Sequence, residues 1–455
     1  MKTVAFHNLG CKVNSYEMEV MQQKFTESGY TIVPFDTKAD VYVINTCSVT
    51  NIADRKSRQM LHRAKKTNPD AVVIAAGCYS QTDTEGAVKD DAVDIVLGNN
   101  KKAEIIDVLK EHLVKMSDKE HKSVAVDDLN KPSEYENCGI KDSNERTRVD
   151  IKIQDGCDQF CSYCIIPAAR GRVRSRDKTD IIKEITALAD KGFKEVVLTG
   201  IHLSSYGLDT PYNVLTADGE YTNRALIDVI DSVSAIEGIS RIRLGSLEPR
   251  VITKEFVEAI VANDAVCPHF HLSLQSGCDE TLKRMNRRYT AEEYYDKVRL
   301  LREYYVNPAI TTDIITGFPG ETEEEFEKTV EFVKKVNFYE THIFKYSKRK
   351  GTVAAGLPGQ LTEAVKAKRS DVLQEICDKN REEFIKAHIG DTVEILLEEE
   401  QSVDDRTMIF GHTKDYVPAA VPSDCVLKSG SLPVSGDIVI GTAESLYEGR
   451  MLICR

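Results

Sequence analysis

The chain of 455 residues lacks any apolar run approaching the ~20 residues needed to cross a bilayer, which leaves no candidate membrane span. Its first stretch, Met1 to Cys11, lacks an apolar segment long enough for a secretory leader, and Leu9-Gly10-Cys11 fails as a lipoprotein signal for the same reason. The expected location is therefore the cytoplasm, with no membrane partner. Thiols stay reduced there, so the twelve cysteines point to metal or catalysis before disulfides. An excess of positive charge is also lacking: the 60 Lys and Arg are outnumbered by 73 Asp and Glu, and the net charge of −13 argues mildly against a nucleic-acid partner. A global sum hides local patches, however. Cations gather at Arg55, Lys56, Arg58, Arg63, Lys65 and Lys66, and again at Arg170, Arg172, Arg174 and Arg176. Further groups are Lys283, Arg284, Arg287 and Arg288, then Lys345, Lys348, Arg349 and Lys350. Any one of these alone reads as a solvated face. Hydrophobic content of 41% and charged content of 29% are those of an ordinary globular protein, and the length calls for roughly two to four domains.

What is present is sharper. Cys157-Asp158-Gln159-Phe160-Cys161-Ser162-Tyr163-Cys164 places three thiols in a Cys-x3-Cys-x2-Cys run. A 4Fe–4S cubane has four irons, each wanting one terminal ligand, so three thiolates leave one iron open to a small molecule. Zinc fits poorly, because structural zinc sites favour four ligands built from paired thiols and histidines. Three inert core cysteines are the bland alternative. The run resembles the radical S-adenosylmethionine (SAM) signature, including the aromatic Tyr163 before the last cysteine. In that superfamily SAM chelates the open iron.

The predicted fold class is α/β, in three parts. Residues 1–115 read as an open parallel α/β domain, with buried strands at 3–6, 41–44 and 72–76 and helices near 15–27, 51–66 and 102–115. Cys11, Cys47 and Cys78 each fall just past a strand end, where ligands bind in open α/β sheets. Three unrelated core cysteines are the alternative at this point. Residues 116–147 read as a polar linker. Residues 148–375 repeat a strand-then-helix unit six times, with strands at 149–154, 195–199, 241–246, 269–274, 310–315 and 342–346, which predicts a partial (βα)6 barrel. The Cys157 run follows the first strand, at the mouth where barrel active sites lie. Three basic clusters follow the first, fourth and sixth strands, so an anionic polymer held over a cofactor is the economical expectation. Residues 376–455 carry short strands at 391–397, 407–410, 415–417, 437–442 and 450–454, the pattern of a small antiparallel β-barrel that binds nucleic acid or serves as an inert dimerisation or lid module.

Over nearly its whole length the chain resembles the radical-SAM methylthiotransferases, which join a methylthiotransferase domain, a radical-SAM core and a TRAM RNA-binding barrel. The resemblance implies two 4Fe–4S clusters, with Cys157, Cys161 and Cys164 as ligands of one and Cys11, Cys47 and Cys78 of the other. Val196-Val197-Leu198-Thr199-Gly200-Ile201, Ser273-Leu274-Gln275-Ser276-Gly277 and the stretch from Thr312 to Glu321 look like the segments that line the SAM pocket, which names Tyr163, Gly200, Gln275 and Asp313 as candidate SAM neighbours. Local turn chemistry is the plain alternative for the last three. Gly10-Cys11-Lys12-Val13-Asn14, Cys278 after Gly277, and Gly411-His412-Thr413 look most like the branch acting on N6-threonylcarbamoyladenosine in tRNA. Nothing in the physics of Lys12 or Val13 explains that likeness from sequence.

The resemblance implies two uses of SAM: methylation of a sulfur at the auxiliary cluster, and reductive cleavage that activates carbon 2 of the adenine. The partners implied are the tRNA anticodon stem-loop and a low-potential electron donor such as flavodoxin. The candidate RNA contacts are Arg170, Arg172, Arg174, Arg176, Lys283, Arg284, Arg287, Arg288, Lys348 and Arg349. Rival acceptors are isopentenyladenosine in tRNA and an aspartate of a ribosomal protein. A non-enzymatic iron–sulfur RNA-binding regulator would explain the thiols and basic patches, yet not a barrel with its mouth at the cluster. Cys138, Cys267, Cys278, Cys377, Cys425 and Cys454 lack ligand spacing and receive no role.

Overall fold

The computed structural model describes residues 2–455 apart from 116–121, 130, 132–133, 144–146, 211–222, 404 and 428–429. The first part is a six-stranded, wholly parallel sheet. Its spatial order is Thr31–Val33, Thr3–Asn8, Val41–Thr46, Val72–Gly77, Ile95–Leu97 and Ser123–Ala125. Every residue of Val41–Thr46 and Val72–Gly77 is buried, because helices cover both faces and leave no polar side to alternate with. From Thr3–Asn8 the chain goes first to one side and then to the other, so the switch point lies between Thr3–Asn8 and Val41–Thr46. Cys11 and Cys47 follow these two strands, and Cys78 follows the next one. The crevice outside the carboxyl ends at a switch point is where such sheets bind ligands.

Three strands of this first part, Thr31–Val33, Ile95–Leu97 and Ser123–Ala125, escape the sequence reading, since three residues are too few to show a period. The last falls inside the expected linker, parts of which lie outside the described residues. Its described end is strapped to both neighbours. Cys138 O accepts from Tyr16 Oη at 2.5 Å, and Ile140 N donates to Glu184 Oε1 at 2.6 Å.

Six parallel strands form the second part: Arg148–Asp155, Glu195–Gly200, Arg241–Leu244, His269–His271, Ala309–Thr316 and Glu340–Lys345. Single bridges, Ile242 to Val266 and Leu247 to Leu272, carry the sheet across its middle, so it curls without closing. Thr290 and Thr322 start the helices Ala291–Tyr304 and Glu323–Val336 with capping boxes completed by Glu293 and Glu325. Phe326, Thr329, Phe332, Val333 and Val336 then turn one stripe of the second helix inward. The open side of the barrel is covered by Lys12–Glu27, a helix of the first part. It lends Tyr16 and Val20 to the barrel core, and Met18, Met21 and Phe25 to the core beneath its own sheet.

The helix Glu363–Lys386 runs unbroken through position 375, so a domain boundary drawn there cuts an element. Beyond it, Thr392–Val403, Arg406–Thr413, Pro418–Pro422, Met451–Cys454 and Ile438–Tyr447 close into a barrel. It is antiparallel apart from one parallel pair, Pro418–Pro422 with Met451–Cys454. Residues 415–417, expected as a strand, form the turn into Pro418–Pro422, with Tyr416 at φ +71°. The barrel sits against the amino ends of the core strands. Arg241 gives Nε to Glu394 Oε1 at 2.9 Å and Nη1 to His412 O at 3.2 Å.

Candidate active site

At the carboxyl end of Arg148–Asp155, Gly156 turns the chain at φ +71°; a Cβ there would lie 1.8 Å from Arg172 O, so only glycine fits. Cys157 N then donates to Gly171 O at 3.1 Å. The rest of the loop is sewn to the segment after the helix Asp279–Arg284. Ser162 N donates to Met285 O at 3.0 Å, Ser162 Oγ to Arg284 O at 2.8 Å, and Asn286 Nδ2 to Phe160 O at 2.9 Å. Arg287 gives Nη1 to Cys161 Sγ at 3.3 Å and Nη2 to Ser273 O at 3.1 Å. Burial, with a smaller contribution from the neighbouring Cys161 sulfur, pushes the Cys157 and Cys164 thiols up to about 12.

The second set is gathered by three asparagines. Asn14 Nδ2 donates to Leu9 O at 2.7 Å and Thr46 O at 3.1 Å, which ties the Cys11 loop to the Cys47 loop. Asn45 Nδ2 returns a bond to Asn14 O at 2.8 Å. Asn99 Nδ2 lies 3.5 Å from Cys78 Sγ and donates to Ala169 O of the core at 2.7 Å. Gly77, at φ +98°, would put a Cβ 2.6 Å from Asn45 Oδ1. Burial raises Cys47 to about 11, with smaller contributions from Cys78 and Cys11. Cys11 is open to water but walled by protein, and burial raises it too.

Both sets suit an iron–sulfur cluster. All six cysteines are free thiols, and a bound cation would turn thiols that burial holds neutral, such as Cys47 and Cys157, into thiolate ligands. Neither set closes to single-ion distance. Among the described residues, the one group of three whose ligand atoms all lie within 4.8 Å is His271, Asp313 and His342. There His271 already spends both nitrogens, on Thr311 Oγ1 at 3.0 Å and Asp313 Oδ2 at 3.3 Å, so it reads as a hydrogen-bonded cluster of the barrel interior. Sequence reasoning missed it, because three residues on three separate strands leave no spacing signal.

Behind Cys11 and Cys78, a buried charge clamp joins the first part to the core. Glu17 takes Lys152 Nζ at 2.7 Å and Arg170 Nη1 at 2.7 Å, and also pairs with Lys102. Asp155 takes Lys152 Nζ at 2.6 Å and Arg170 Nη1 at 3.2 Å, while Arg170 Nη2 reaches Asn14 Oδ1 at 2.7 Å. Burial raises both carboxyls, but the surrounding cations outweigh it and hold Glu17 and Asp155 well below the usual carboxylate range.

Tyr163, Gln275 and Asp313 come together on a cavity of about 230 Å³ at the barrel mouth, which Val49 and Thr50 of the first part also line. Gln275 sits at φ +71°, a strained backbone for a non-glycine, held by its N–H on Asp313 O at 2.8 Å and its carbonyl under Ile315 N at 2.9 Å. Gly200 does not line that cavity. It lies against Gln154, whose Oε1 would be 2.8 Å from a Cβ at that position.

Residues 151–333 match the Radical SAM superfamily, and residues 3–98 match the Uncharacterized protein family UPF0004. The threonylcarbamoyladenosine tRNA methylthiotransferase MtaB of Bacillus subtilis (strain 168) is 41% identical over 418 residues, covering 92% of this chain and 90% of its own. The chain belongs to the radical-SAM methylthiotransferase family. It is thus an enzyme of SAM and 4Fe–4S chemistry. MtaB of Aquifex aeolicus (strain VF5) is 42% identical over 397 residues, or 87% of this chain and 93% of its own. A tRNA-2-methylthio-N(6)-dimethylallyladenosine synthase of Thermodesulfovibrio yellowstonii is 34% identical over 435 residues, or 95% of each. The radical S-adenosylmethionine methyltransferase TsrM from Kitasatospora setae shares the fold, with a TM-score of 0.52 over 76% of this chain and 73% of that one at 16% identity.

The basic residues of this methylthiotransferase need correcting. Arg170 and Arg174 are buried on the clamp, and Arg176 is buried on Glu184 and Tyr16 Oη. Arg349 is buried on Asp54 Oδ2 at 2.5 Å and Ser48 Oγ at 2.7 Å. Arg284 pairs with Glu325, and Arg287 is turned to Cys161. The four buried ones, Arg170, Arg174, Arg176 and Arg349, are therefore not available to phosphates. Burying an arginine is tolerated only with partners, and here each buried one has a carboxylate: Glu17 and Asp155 for Arg170, Asp155 for Arg174, Glu184 for Arg176 and Asp54 for Arg349. Arg172, Lys283, Arg288 and Lys348 do stay exposed; Arg172, 64% exposed, lies 4.8 Å over the Phe160 ring. Among the described residues, no helix is long and apolar enough to cross a membrane.

Proposed function

We propose that this enzyme transfers a methylthio group to carbon 2 of N6-threonylcarbamoyladenosine beside the anticodon of tRNA. The match at 41% and 42% identity, over most of both chains, to two relatives named for that substrate carries the reading. In it, Cys157, Cys161 and Cys164 hold one 4Fe–4S cluster and Cys11, Cys47 and Cys78 the other, each leaving an iron without a protein ligand. When bound, the clusters and SAM supply the electron, the methyl group and the radical chemistry.

The chain's own residues bind, orient and exclude water. Arg287 donates to the Cys161 sulfur and so orients that ligand. Tyr163, Gln275 and Asp313 offer SAM a walled cavity, with Gly200 kept as a strand-end neighbour only. The clamp around Arg170 fixes the first part against the core, so that one base meets both cysteine sets. Exposed Arg172, Lys283, Arg288 and Lys348 take the phosphates of the stem-loop, whose unstacked target base is offered to the site. The electron comes from a low-potential donor such as flavodoxin, in the cytoplasm, where thiols stay reduced.

Mass spectrometry of tRNA nucleosides from a strain lacking the gene tests this. Loss of the 2-methylthio form of threonylcarbamoyladenosine, restored by the wild-type chain, is expected. A second reading, transfer to isopentenyladenosine, has the relative at 34% identity behind it, and loss of that nucleoside instead would select it. Unchanged tRNA would sink both and direct the search to ribosomal protein.

A further inference from the structure

A second, larger cavity of about 820 Å³ opens where the start of helix Lys12–Glu27, the amino ends of the core strands and the C-terminal barrel meet. Cys11 and Lys12 line it, with Arg148 and Arg243 from the core and His412 and Tyr416 from the barrel. Most charges on its wall are already matched. Arg148 pairs with Glu398, Arg243 gives Nε to Glu195 Oε1 at 3.0 Å, and His412 Nδ1 lies 2.6 Å from Glu398 Oε1. Tyr416 is held flat by stacking on His412 at 4.5 Å, and the two guanidiniums stand 4.9 and 4.6 Å from its ring. Lys12 is the exception. Its ammonium makes no hydrogen bond or ion pair among the described residues, although Asp150, Glu195, Arg148 and Arg243 all stand near enough to act on it. The Tyr416 hydroxyl makes none either, among the described residues.

Position adds to this. Lys12 directly follows Cys11, so whatever reaches its ammonium lies beside the sulfur-delivering side of the proposed site. We propose that Lys12, with the Tyr416 hydroxyl as a second donor, binds the carboxylate of the substrate's N6 substituent and so selects an acidic side chain over a hydrocarbon one. The inference rests on the reading of the acceptor as N6-threonylcarbamoyladenosine, whose threonyl group carries a free carboxylate; an isopentenyl group carries none. An ammonium facing an apolar substituent would be left desolvated and unpaired, so one residue both favours one acceptor and penalises the other. This gives Lys12 the physical role that sequence alone could not. It also gives the C-terminal barrel a part in choosing the base, through Tyr416.

The test uses the cluster-loaded full chain and synthetic anticodon stem-loops that carry threonylcarbamoyladenosine, its carboxylate methyl ester, isopentenyladenosine or plain adenosine at the target position. A charge-assisted hydrogen bond predicts that Lys12→Met lowers the preference for the threonylcarbamoyl loop over the plain loop, as a ratio of Kd values, about 10- to 100-fold. Lys12→Arg should keep most of the preference, and iron and sulfide content shows whether the clusters survive. The methyl ester should cost the wild-type chain a similar factor and the Lys12→Met chain little more, a comparison independent of how the variant folds. Equal losses on every loop would make Lys12 a phosphate contact and overturn the proposal, as would a preference that does not change. If the wild-type chain thiomethylates only the isopentenyl loop, the proposed function fails first, whatever Lys12 does.

Discussion

Cys157, Cys161 and Cys164 ride on one eight-residue loop, whereas Cys11, Cys47 and Cys78 come from the same-facing ends of three adjacent parallel strands and meet only because the strand order reverses at the first of them. The loop set owes its geometry to local chemistry: a glycine no other residue can replace, and a handful of bonds to the segment 284–287. The gathered set owes its geometry to topology, and is then held by Asn14, Asn45 and Asn99. A loop set can be lost by one local change and leave the fold standing. A gathered set is damaged by anything that shifts the sheet or its seat on the core.

The strongest way to break the comparison is to remove each set. Changing Cys157, Cys161 and Cys164 to Ala should abolish 5′-deoxyadenosine formation and leave iron bound at the other set. Changing Cys11, Cys47 and Cys78 should keep SAM cleavage and abolish thiomethylation, both read by chromatography of the reaction products. If the second variant still thiomethylates, those three cysteines are not an essential site.

Next in size is the clamp. Arg170→Met leaves Glu17 and Asp155 buried with less compensation, a change that costs about 3–5 kcal/mol where a buried pair is broken. The midpoint of chemical unfolding should fall accordingly. Iron should be lost from the gathered set before the loop set, because the clamp stands behind Cys11 and Cys78 on both sides of the joint. Gly156→Ala should show the reverse order of iron loss, since a Cβ at 1.8 Å from a backbone oxygen forces the loop to move. Equal iron loss in both variants would mean that the two sets do not depend on different parts of the fold.

The two sets also differ in how far sequence reveals them. The spacing of the Cys157 run carries its own chemistry, so it is legible without a fold. Cys11, Cys47 and Cys78 are legible only through the apolar strands that precede them, and their convergence follows from a strand order that sequence does not state. Arg170, Arg174 and Arg176 escape a sequence reading for the same reason. Charge alternation tells that a segment is extended and that its cations share a face, but not whether that face meets water or carboxylates. The deciding partner of Arg170, Glu17, lies 153 positions away. A matching lesson attaches to Lys12, whose meaning depends on a cavity walled by three separate parts of the chain.

That correction can itself be sharpened. Arg172→Glu should weaken stem-loop binding and reduce the salt slope of the affinity by about one, as expected for an exposed phosphate contact. Arg176→Gln should lower stability through loss of its Glu184 pairing while leaving the salt slope alone. A shared change in slope would return the buried arginines to the RNA face.

The smallest effect concerns the joint at the other end of the molecule, where the C-terminal barrel meets helix Glu363–Lys386. Burial works against a charged His388, yet Asp415 Oδ2, 2.6 Å from its Nε2, outweighs burial and raises its pKa above 6.5. Burial likewise works against the Asp415 carboxylate, and His388 and Thr413 outweigh it, holding it below 3.8. The signs are opposite. The contribution of His388 is whole below about pH 6.5 and fades as pH rises through its raised folded value; that of Asp415 is whole above about pH 4 and fades as pH falls through its lowered one. The pair should therefore stabilise the joint most between those limits, by about 1 kcal/mol for a partly buried ion pair. His388→Gln should flatten the fall in unfolding midpoint between pH 6 and pH 8.5 while barely touching the arginine clamp, which stays charged throughout. A wild-type midpoint that rises over that interval would contradict a His388 held in its charged form by Asp415.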